Sequence, residues 1–391
     1  MTKVYLKRGR ERRILGGHPW VYRGEIWKTE GSLENGDQVA VLDYRGKFLG
    51  TGLANTHSII TVRIFTHNEE DLDREFFRTR LEKAKKRRDS LALDSDAMRL
   101  VFSEADGLPG LIADQYGECI VVQFLTLGLD KRKDSMTSLL SEVFSPSSIY
   151  ERSDVRAREH EGLERVKGEL RGRLPNPLEA HMGGLRFRVD APGGQKTGLF
   201  LDQRENAILA GSWMAGREVL DCFSYAGSFG LQAAHHGAEH VTFVEISDEA
   251  VEYTRRNIEL NGFDRKTDII LSNAFDILKE YDRDGRTFDA VILDPPSFTR
   301  SKKSLEGAKR GYKEINLRAL RILRPGGILI TCTCSQHLTH DLFEDIIREA
   351  AQDARVSTYE IECRGQARDH PVLLEVPETK YLSCLFLRKE G

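Results

Sequence analysis

Val219-Leu220-Asp221-Cys222-Phe223-Ser224-Tyr225-Ala226-Gly227-Ser228-Phe229-Gly230 is the stretch that decides the fold. A short apolar core runs into an acid, a small-residue turn and the start of a helix. Glycine at 227 lets the backbone turn tightly and approach a ligand closely. Outward from this stretch, apolar strand cores recur at 241–244, 269–271, 290–293, 328–330 and 382–387. Helical stretches such as 248–260 and 305–323 lie between them. Strands too apolar for one-sided burial, alternating with helices, predict a parallel, doubly wound α/β sheet over residues 183–391. Such sheets bind ligands beyond the carboxyl ends of their strands. The G-x-G-x-x-G fingerprint is absent, which counts against NAD or FAD.

The chain has 391 residues, and at roughly 150 per domain this predicts two or three domains. Lys and Arg total 58 against 61 Asp and Glu, a net charge of −3 that excludes a polybasic, histone-like protein. No apolar run approaches the roughly 18–20 residues of a membrane span, and the N-terminus lacks the apolar stretch of a signal peptide. Six cysteines without a CxxC or zinc spacing predict free thiols and no metal. A soluble, cytoplasmic protein is expected.

Residues 1–30 are locally cationic: Lys3, Lys7, Arg8, Arg10, Arg12, Arg13, Arg23 and Lys28 face only Glu11, Glu25 and Glu30. Strand-like pieces at 38–42, 48–53 and 59–65, with Gly and Asn turns, predict a small β-rich domain over 1–67. Phe77, Leu81 and Ala84 then set a helical period, with Lys83, Lys85, Lys86, Arg87 and Arg88 expected on the exposed face, either solvated or touching phosphates. A hairpin turning at Tyr116-Gly117 and a helix over 131–143 complete a central α+β domain, 68–182.

An Asp ending the first strand, six residues before Gly227, resembles motif I of the class I S-adenosylmethionine (SAM) methyltransferases. Phe223, Ser224 and Gly227 then belong to the cofactor turn. Glu245 ends the second strand, where a carboxylate accepts ribose hydroxyl protons. The alternative is a pair of acids capping helices. At the third strand's end, Asn273-Ala274 stands where many related enzymes place an Asp near adenine, and an amide oxygen still accepts there. Asp294-Pro295-Pro296-Ser297-Phe298 follows the fourth strand. Its prolines stiffen the loop, Asp294 points into the site, and an aromatic at 298 suits an extruded base. That loop alone also suits methylation of an exocyclic amino group on adenine or guanine.

Thr331-Cys332-Thr333-Cys334-Ser335 separates these chemistries. Carbon 5 of a pyrimidine is a poor nucleophile until a thiolate adds to carbon 6. That step needs a cysteine of lowered pKa beside the base pocket, whereas an amino-group enzyme needs none. Cys334, nearer the carboxyl edge, is the expected nucleophile, and Cys332, Cys222, Cys119, Cys363 and Cys384 are expected to be structural.

Across nearly its whole length the chain resembles the bacterial large-subunit rRNA cytosine-5 methyltransferases that fuse a PUA domain to a SAM-binding domain (the RlmI-like group). The resemblance rests on Gly16-Gly17-His18-Pro19-Trp20-Val21-Tyr22, on Gly194-Gln195-Lys196-Thr197-Gly198-Leu199-Phe200-Leu201-Asp202-Gln203-Arg204, and on the 221–227 turn. It continues through Asp294 to Phe298, Thr333-Cys334-Ser335 and Ala367-Arg368-Asp369-His370-Pro371. It implies a PUA domain at 1–67, a central EEHEE domain at 68–182 and a Rossmann-like methyltransferase domain at 183–391. It also implies SAM as cofactor, a cytosine in 23S rRNA or a large-subunit assembly intermediate as substrate, and Cys334 as nucleophile, and it leaves homodimerisation open. In many RNA cytosine-5 methyltransferases a second cysteine in the fourth-strand motif assists product release. Asp-Pro-Pro-Ser stands there in this chain, so Asp294 is left to bond the base edge and the group that removes the carbon 5 proton is unassigned. The resemblance further implies that Phe200 and Arg204 belong to a segment, 195–204, that closes over the methionine end of the cofactor. Pro295 and Phe298 would meet the base, and Arg8, Arg12 and Arg13 would meet RNA phosphates. A non-catalytic rRNA-binding assembly factor with a relic pocket is the remaining alternative.

Overall fold

Strand cores that are apolar on both faces must be covered on both sides, and they become one seven-stranded sheet in the computed structural model, which describes residues 1–299, 304–335 and 337–390. Its strands are β1 (Glu218–Cys222), β2 (His240–Glu245), β3 (Thr267–Leu271), β4 (Phe288–Leu293), β5 (Leu323–Thr333), β6 (Thr358–Arg364) and β7 (Ser383–Lys389), ordered β3-β2-β1-β4-β5-β7-β6. The pairs from β3 to β5 are parallel, whereas β7 runs antiparallel to both β5 and β6. The sheet is therefore parallel except for one reversed strand. β6, which sequence reading does not single out, is Thr-Tyr-Glu-Ile-Glu-Cys-Arg, a largely exposed edge in which glutamates alternate with Tyr359, Ile361 and Cys363 and discourage further pairing. Helix α1 (Arg204–Ser212) precedes β1, and α2 (Ser228–His235), α3 (Asp248–Asn261), α4 (Ala274–Asp284), α5 (Leu305–Ile322) and α6 (His340–Ala354) lie between successive strands. Leu220, Val244, Val291 and Leu329 pack with Tyr312, Ile315, Phe343 and Ile347 in one buried core.

Contacts divide the chain into two units. The sheet belongs to the unit made of Met182–Arg188, Asp202–Ala367 and Lys380–Gly391, and the other comprises Met1–His181, Val189–Leu201 and Arg368–Thr379. In that other unit, a six-stranded N-terminal sheet is formed by Thr2–Leu6, Trp20–Tyr22, Ile26–Glu30, Gln38–Leu42, Phe48–Ala54 and Ile60–Thr66. Val4, Leu6, Val39, Val41, Val62 and Ile64 fill its core. Gly52 is required there, because a Cβ would lie 2.3 Å from the Arg63 carbonyl oxygen on the neighbouring strand.

A second, five-stranded sheet in this unit holds Val166–Arg171, Ser148–Ser153, Cys119–Phe124, Leu111–Tyr116 and Ala97–Phe102, in that order. The last of these strands adds to the hairpin expected from sequence. The helix Arg74–Asp89 is capped by Asp73, which accepts from the Phe76 N–H, and buries Phe77, Leu81 and Ala84. Arg88 corrects the expected exposed face: it is buried, bonds both carboxylate oxygens of Asp106 and donates to the Asp369 carbonyl. Among the described residues, no helix is long and apolar enough to cross a membrane.

Candidate active site

Because β2 and β3 lie on one side of β1 and β4 lies on the other, the sheet's topological switch falls between the carboxyl ends of β1 and β4. The turn after β1 holds Phe223 at φ 63° and Tyr225 at φ 46°, conformations that side chains rarely adopt, followed by Gly227 at φ 80° at the start of α2. Strain of this kind is held only where the surroundings enforce it, and it gathers at ligand sites. Glu245 supplies part of that enforcement. Its Oε2 accepts from the Tyr225 N–H at 2.9 Å, and its Oε1 accepts from Ile246 and Ser247 at 2.8 and 3.1 Å. A carboxylate offers about four acceptor sites, so a site on Oε2 remains for a ligand hydroxyl.

Asp221 is buried and accepts from the Gly230 N–H at 2.9 Å. Burial pushes its carboxyl up to about 8; the Gly230 bond opposes this, and the nearby Asp294 and Glu245 charges add to it. A ligand carrying positive charge would relieve that electrostatic cost. Ser224 Oγ is buried with no hydrogen-bond partner among the described residues, so a polar ligand atom has a place to bond. Asn273 caps α4 through its amide oxygen, which accepts from the Phe275 N–H at 3.0 Å, and Ala274 begins that helix, buried. These features fit SAM: a cationic sulfonium and ammonium beside Asp221, Asp294 and Glu245, and a ribose within the acceptor capacity of Glu245. Phe223 is half-buried, with its ring 6.3 Å from Phe275 and 6.4 Å from Phe298.

The loop after β4 meets the end of β5 through side chains. The register pairs Leu293 with Thr331, so Asp294 and Cys334 both follow the carboxyl ends of adjacent parallel strands. Asp294 Oδ1 accepts from Gln203 Nε2 at 2.9 Å, and Gln203 Oε1 accepts from Asn206 Nδ2 at 2.7 Å, which ties the loop to α1. Pro295 is buried and Pro296 exposed. Phe298 is half-buried against protein rings, 5.7 Å from Phe275 and 4.6 Å from Tyr312.

Cys334 is half-buried just past the end of β5, between buried Thr333 and Ser335. Thr333 Oγ1 donates to the Tyr312 hydroxyl at 2.9 Å, which lies 3.2 Å from Ser335 Oγ. Ser335 Oγ in turn lies 2.9 Å from Ser297 Oγ. Tyr312 and Ser297 therefore fix both neighbours of Cys334 and lock the two loops together. Burial pushes the Tyr312 phenol up to about 12, so it remains protonated. Cys332 is buried, with Sγ 3.0 Å from Cys384 Sγ, and burial pushes its thiol well up. Cys222 is also buried, whereas Cys363 is exposed.

Arg204 opens α1 and is buried rather than standing on the helix surface. Phe200 lies in the N-terminal unit, its ring 4.4 Å from Lys196 Nζ. In the same segment Thr197 donates to Asp114 at 2.5 Å, and the Leu199 N–H donates to the Tyr116 hydroxyl at 3.1 Å. Arg8 and Arg12 are exposed, while Arg13 is held by Glu25 at 2.7 Å over the Tyr22 ring. Sequence reading misses Gln203 and Tyr312. For Tyr312 the available signal is its place on the apolar stripe of α5, with Ala308, Ile315 and Ala319.

Residues 4–67 match the family described as a PUA-like domain, and residues 166–369 match the S-adenosylmethionine-dependent methyltransferases. The chain is 40% identical to the "Ribosomal RNA large subunit methyltransferase I" of Klebsiella pneumoniae (strain 342), over 97% of this chain and 96% of that one. It is also 40% identical to the protein of that name from Shewanella amazonensis, over 99% of both. A candidate SAM-dependent methyltransferase from Streptococcus mutans shares the fold with a TM-score of 0.85 and 22% identity, covering 99% of this chain and 100% of that one. A candidate methyltransferase crystallised with SAH does so with a TM-score of 0.84 and 21% identity, covering 99% of this chain and 100% of its own. The chain belongs to the S-adenosylmethionine-dependent methyltransferases, with a PUA-like domain at its N-terminal end and S-adenosylmethionine as its cofactor.

Proposed function

We propose that this protein methylates carbon 5 of a cytosine in large-subunit (23S) rRNA, in the cytoplasm, through a covalent adduct on Cys334. The observation that carries the reading is the placement of Cys334. It is half-buried past the end of β5, beside the Asp294 loop, between two residues fixed by Tyr312 and Ser297. The names of the near full-length relatives support an rRNA substrate. Residues 1–67 act as the RNA-binding PUA domain, 68–182 as the central α+β domain and 183–391 as the methyltransferase domain.

When bound, SAM supplies an electrophilic methyl group. The Cys334 thiolate adds to carbon 6 of the flipped cytosine, forming the S–C6 bond and pushing electron density onto carbon 5. Once carbon 5 carries the methyl, water or a neighbouring base takes its proton, the C5–H electron pair re-forms the C5–C6 double bond, and the S–C6 bond breaks to release the Cys334 thiolate. Asp294, oriented by Gln203, accepts a hydrogen bond from the cytosine amino group. Asp221, Ser224, Gly227, Glu245, Asn273 and Arg204 hold the cofactor.

Nucleoside mass spectrometry of 23S rRNA from cells with and without the gene tests this reading. One 5-methylcytidine should disappear with the gene. Loss of an N-methylated adenosine or guanosine instead would assign the Asp294-Pro295-Pro296 loop to amino-group chemistry.

A further inference from the structure

The open edge of the N-terminal sheet carries side chains that neither the fold nor the methyl transfer requires. Ile26–Glu30 is an edge strand, paired among the described residues only with Thr2–Leu6. On it Trp27 is 58% exposed, although tryptophan is normally well covered. Lys28 Nζ lies 4.4 Å from the ring of its cross-strand partner Tyr5 and 5.3 Å from the Trp27 ring. The turn between Gln38–Leu42 and Phe48–Ala54 rises beside Tyr5, where a Cβ on Gly46 would lie 4.0 Å from Tyr5 Cε1. On that turn the Tyr44 ring has the Arg45 guanidinium at 5.1 Å and that of Arg8 at 5.8 Å.

Three aromatic rings interleaved with cations thus run along one rim, and Lys3 and Lys47 are exposed beside them. Two acids sit among them. Glu30 accepts from Lys28 at 2.6 Å and from Tyr5 at 2.8 Å, and Asp43 accepts from the Arg45 and Lys47 N–H groups. A protein-binding patch would be depleted of charge at its centre, and this rim is not. Every nucleobase has a π-face, so rings held by neighbouring cations accept unpaired bases without regard to sequence, while the cations take the phosphates. A duplex hides its base faces and cannot use the rings.

We propose that this rim is a stacking platform for a single-stranded stretch of RNA, with bases on Trp27 and Tyr44 and phosphates on Arg8, Lys28 and Arg45. The proposal rests on the RNA reading above and adds to it the surface and the strandedness of the substrate. The test is fluorescence anisotropy on the full chain, with a labelled mixed-sequence single-stranded oligoribonucleotide and a duplex of the same sequence, for wild type, Trp27→Ala and Tyr44→Ala. Each substitution should weaken single-strand binding about tenfold and leave duplex binding and SAM affinity unchanged. Wild-type-like single-strand binding by both variants overturns the platform alone. An equal loss on duplex also overturns it, because stacking would not be the cause. Absence of any RNA binding by the wild type removes the RNA reading and the platform together.

Discussion

Replacing Tyr312 by Phe keeps a ring of the same shape against Phe298 and Phe343, at 4.6 and 5.5 Å, and deletes one oxygen. That oxygen accepts from Thr333 Oγ1 at 2.9 Å and lies 3.2 Å from Ser335 Oγ. Both hydroxyls are buried, so the variant leaves them short of a partner. An unsatisfied buried group costs about 1–3 kcal/mol, which is the expected loss in chemical denaturation. The larger effect falls on chemistry, because the residues released flank Cys334. A nucleophile displaced by about 1 Å loses on the order of a hundredfold in rate, so kcat for RNA methylation should drop between about tenfold and a hundredfold. SAM affinity should hold, since Asp221, Ser224 and Glu245 are untouched. The assay is tritiated methyl transfer to RNA under saturating cofactor, with calorimetric titration of SAM on the same preparation. An unchanged kcat beside a measurable stability loss would show that the hydroxyl serves packing alone and would refute the positioning argument.

Two further substitutions probe the cofactor side. In Gly230→Ala a Cβ would lie 2.3 Å from Phe243 Cε1 and 2.9 Å from Asp221 Oδ2. Overpacking of about 1–3 kcal/mol outweighs the gain of about 1 kcal/mol in helix propensity, and the start of α2 must shift, so calorimetry should read SAM affinity lowered at least tenfold. Asp221 is raised to about 8 by burial. Between its unfolded value of about 3.9 and that value the folded chain keeps a proton the unfolded chain releases, so the residue's contribution to stability falls as pH rises through the window. Urea titrations at several pH values should show this slope in the wild type and a flatter one in Asp221→Asn; equal slopes would contradict the burial assignment.

Much of this architecture is legible because its causes are local. Ala290 to Leu293 is apolar without alternation, which two-sided burial explains, and it lies in β4; in β2 only the buried Thr242 interrupts Val241, Phe243 and Val244. β6 does carry a period-2 alternation, Tyr359, Ile361 and Cys363 against Glu360, Glu362 and Arg364, but it lacks the continuous apolar core that marks the buried strands, and its apolar side chains are exposed at the sheet's edge. The spacing Phe77, Leu81, Ala84 reveals a helix, and Arg88 continues the same stripe, so its burial follows from the period rather than from its charge. What satisfies it, Asp106, is 18 residues away and can be found only in three dimensions. The same holds in the site. Asp221, Glu245, Asp294 and Cys334 stand out as polar or reactive residues at strand ends. Gln203 and Tyr312 act by bridging segments 91 and 21 residues away, which no spacing records.

The central claim is that Cys334 forms a bond to the base. A 23S rRNA transcript made with 5-fluorocytidine cannot lose a proton from carbon 5, so a thiolate that has added to carbon 6 stays attached after methylation. Incubated with this RNA and SAM, the wild-type protein should migrate as a protein–RNA adduct on a denaturing gel. Cys334→Ala should give no adduct and no methyl transfer to unmodified RNA. Full methylation by Cys334→Ala would contradict the account.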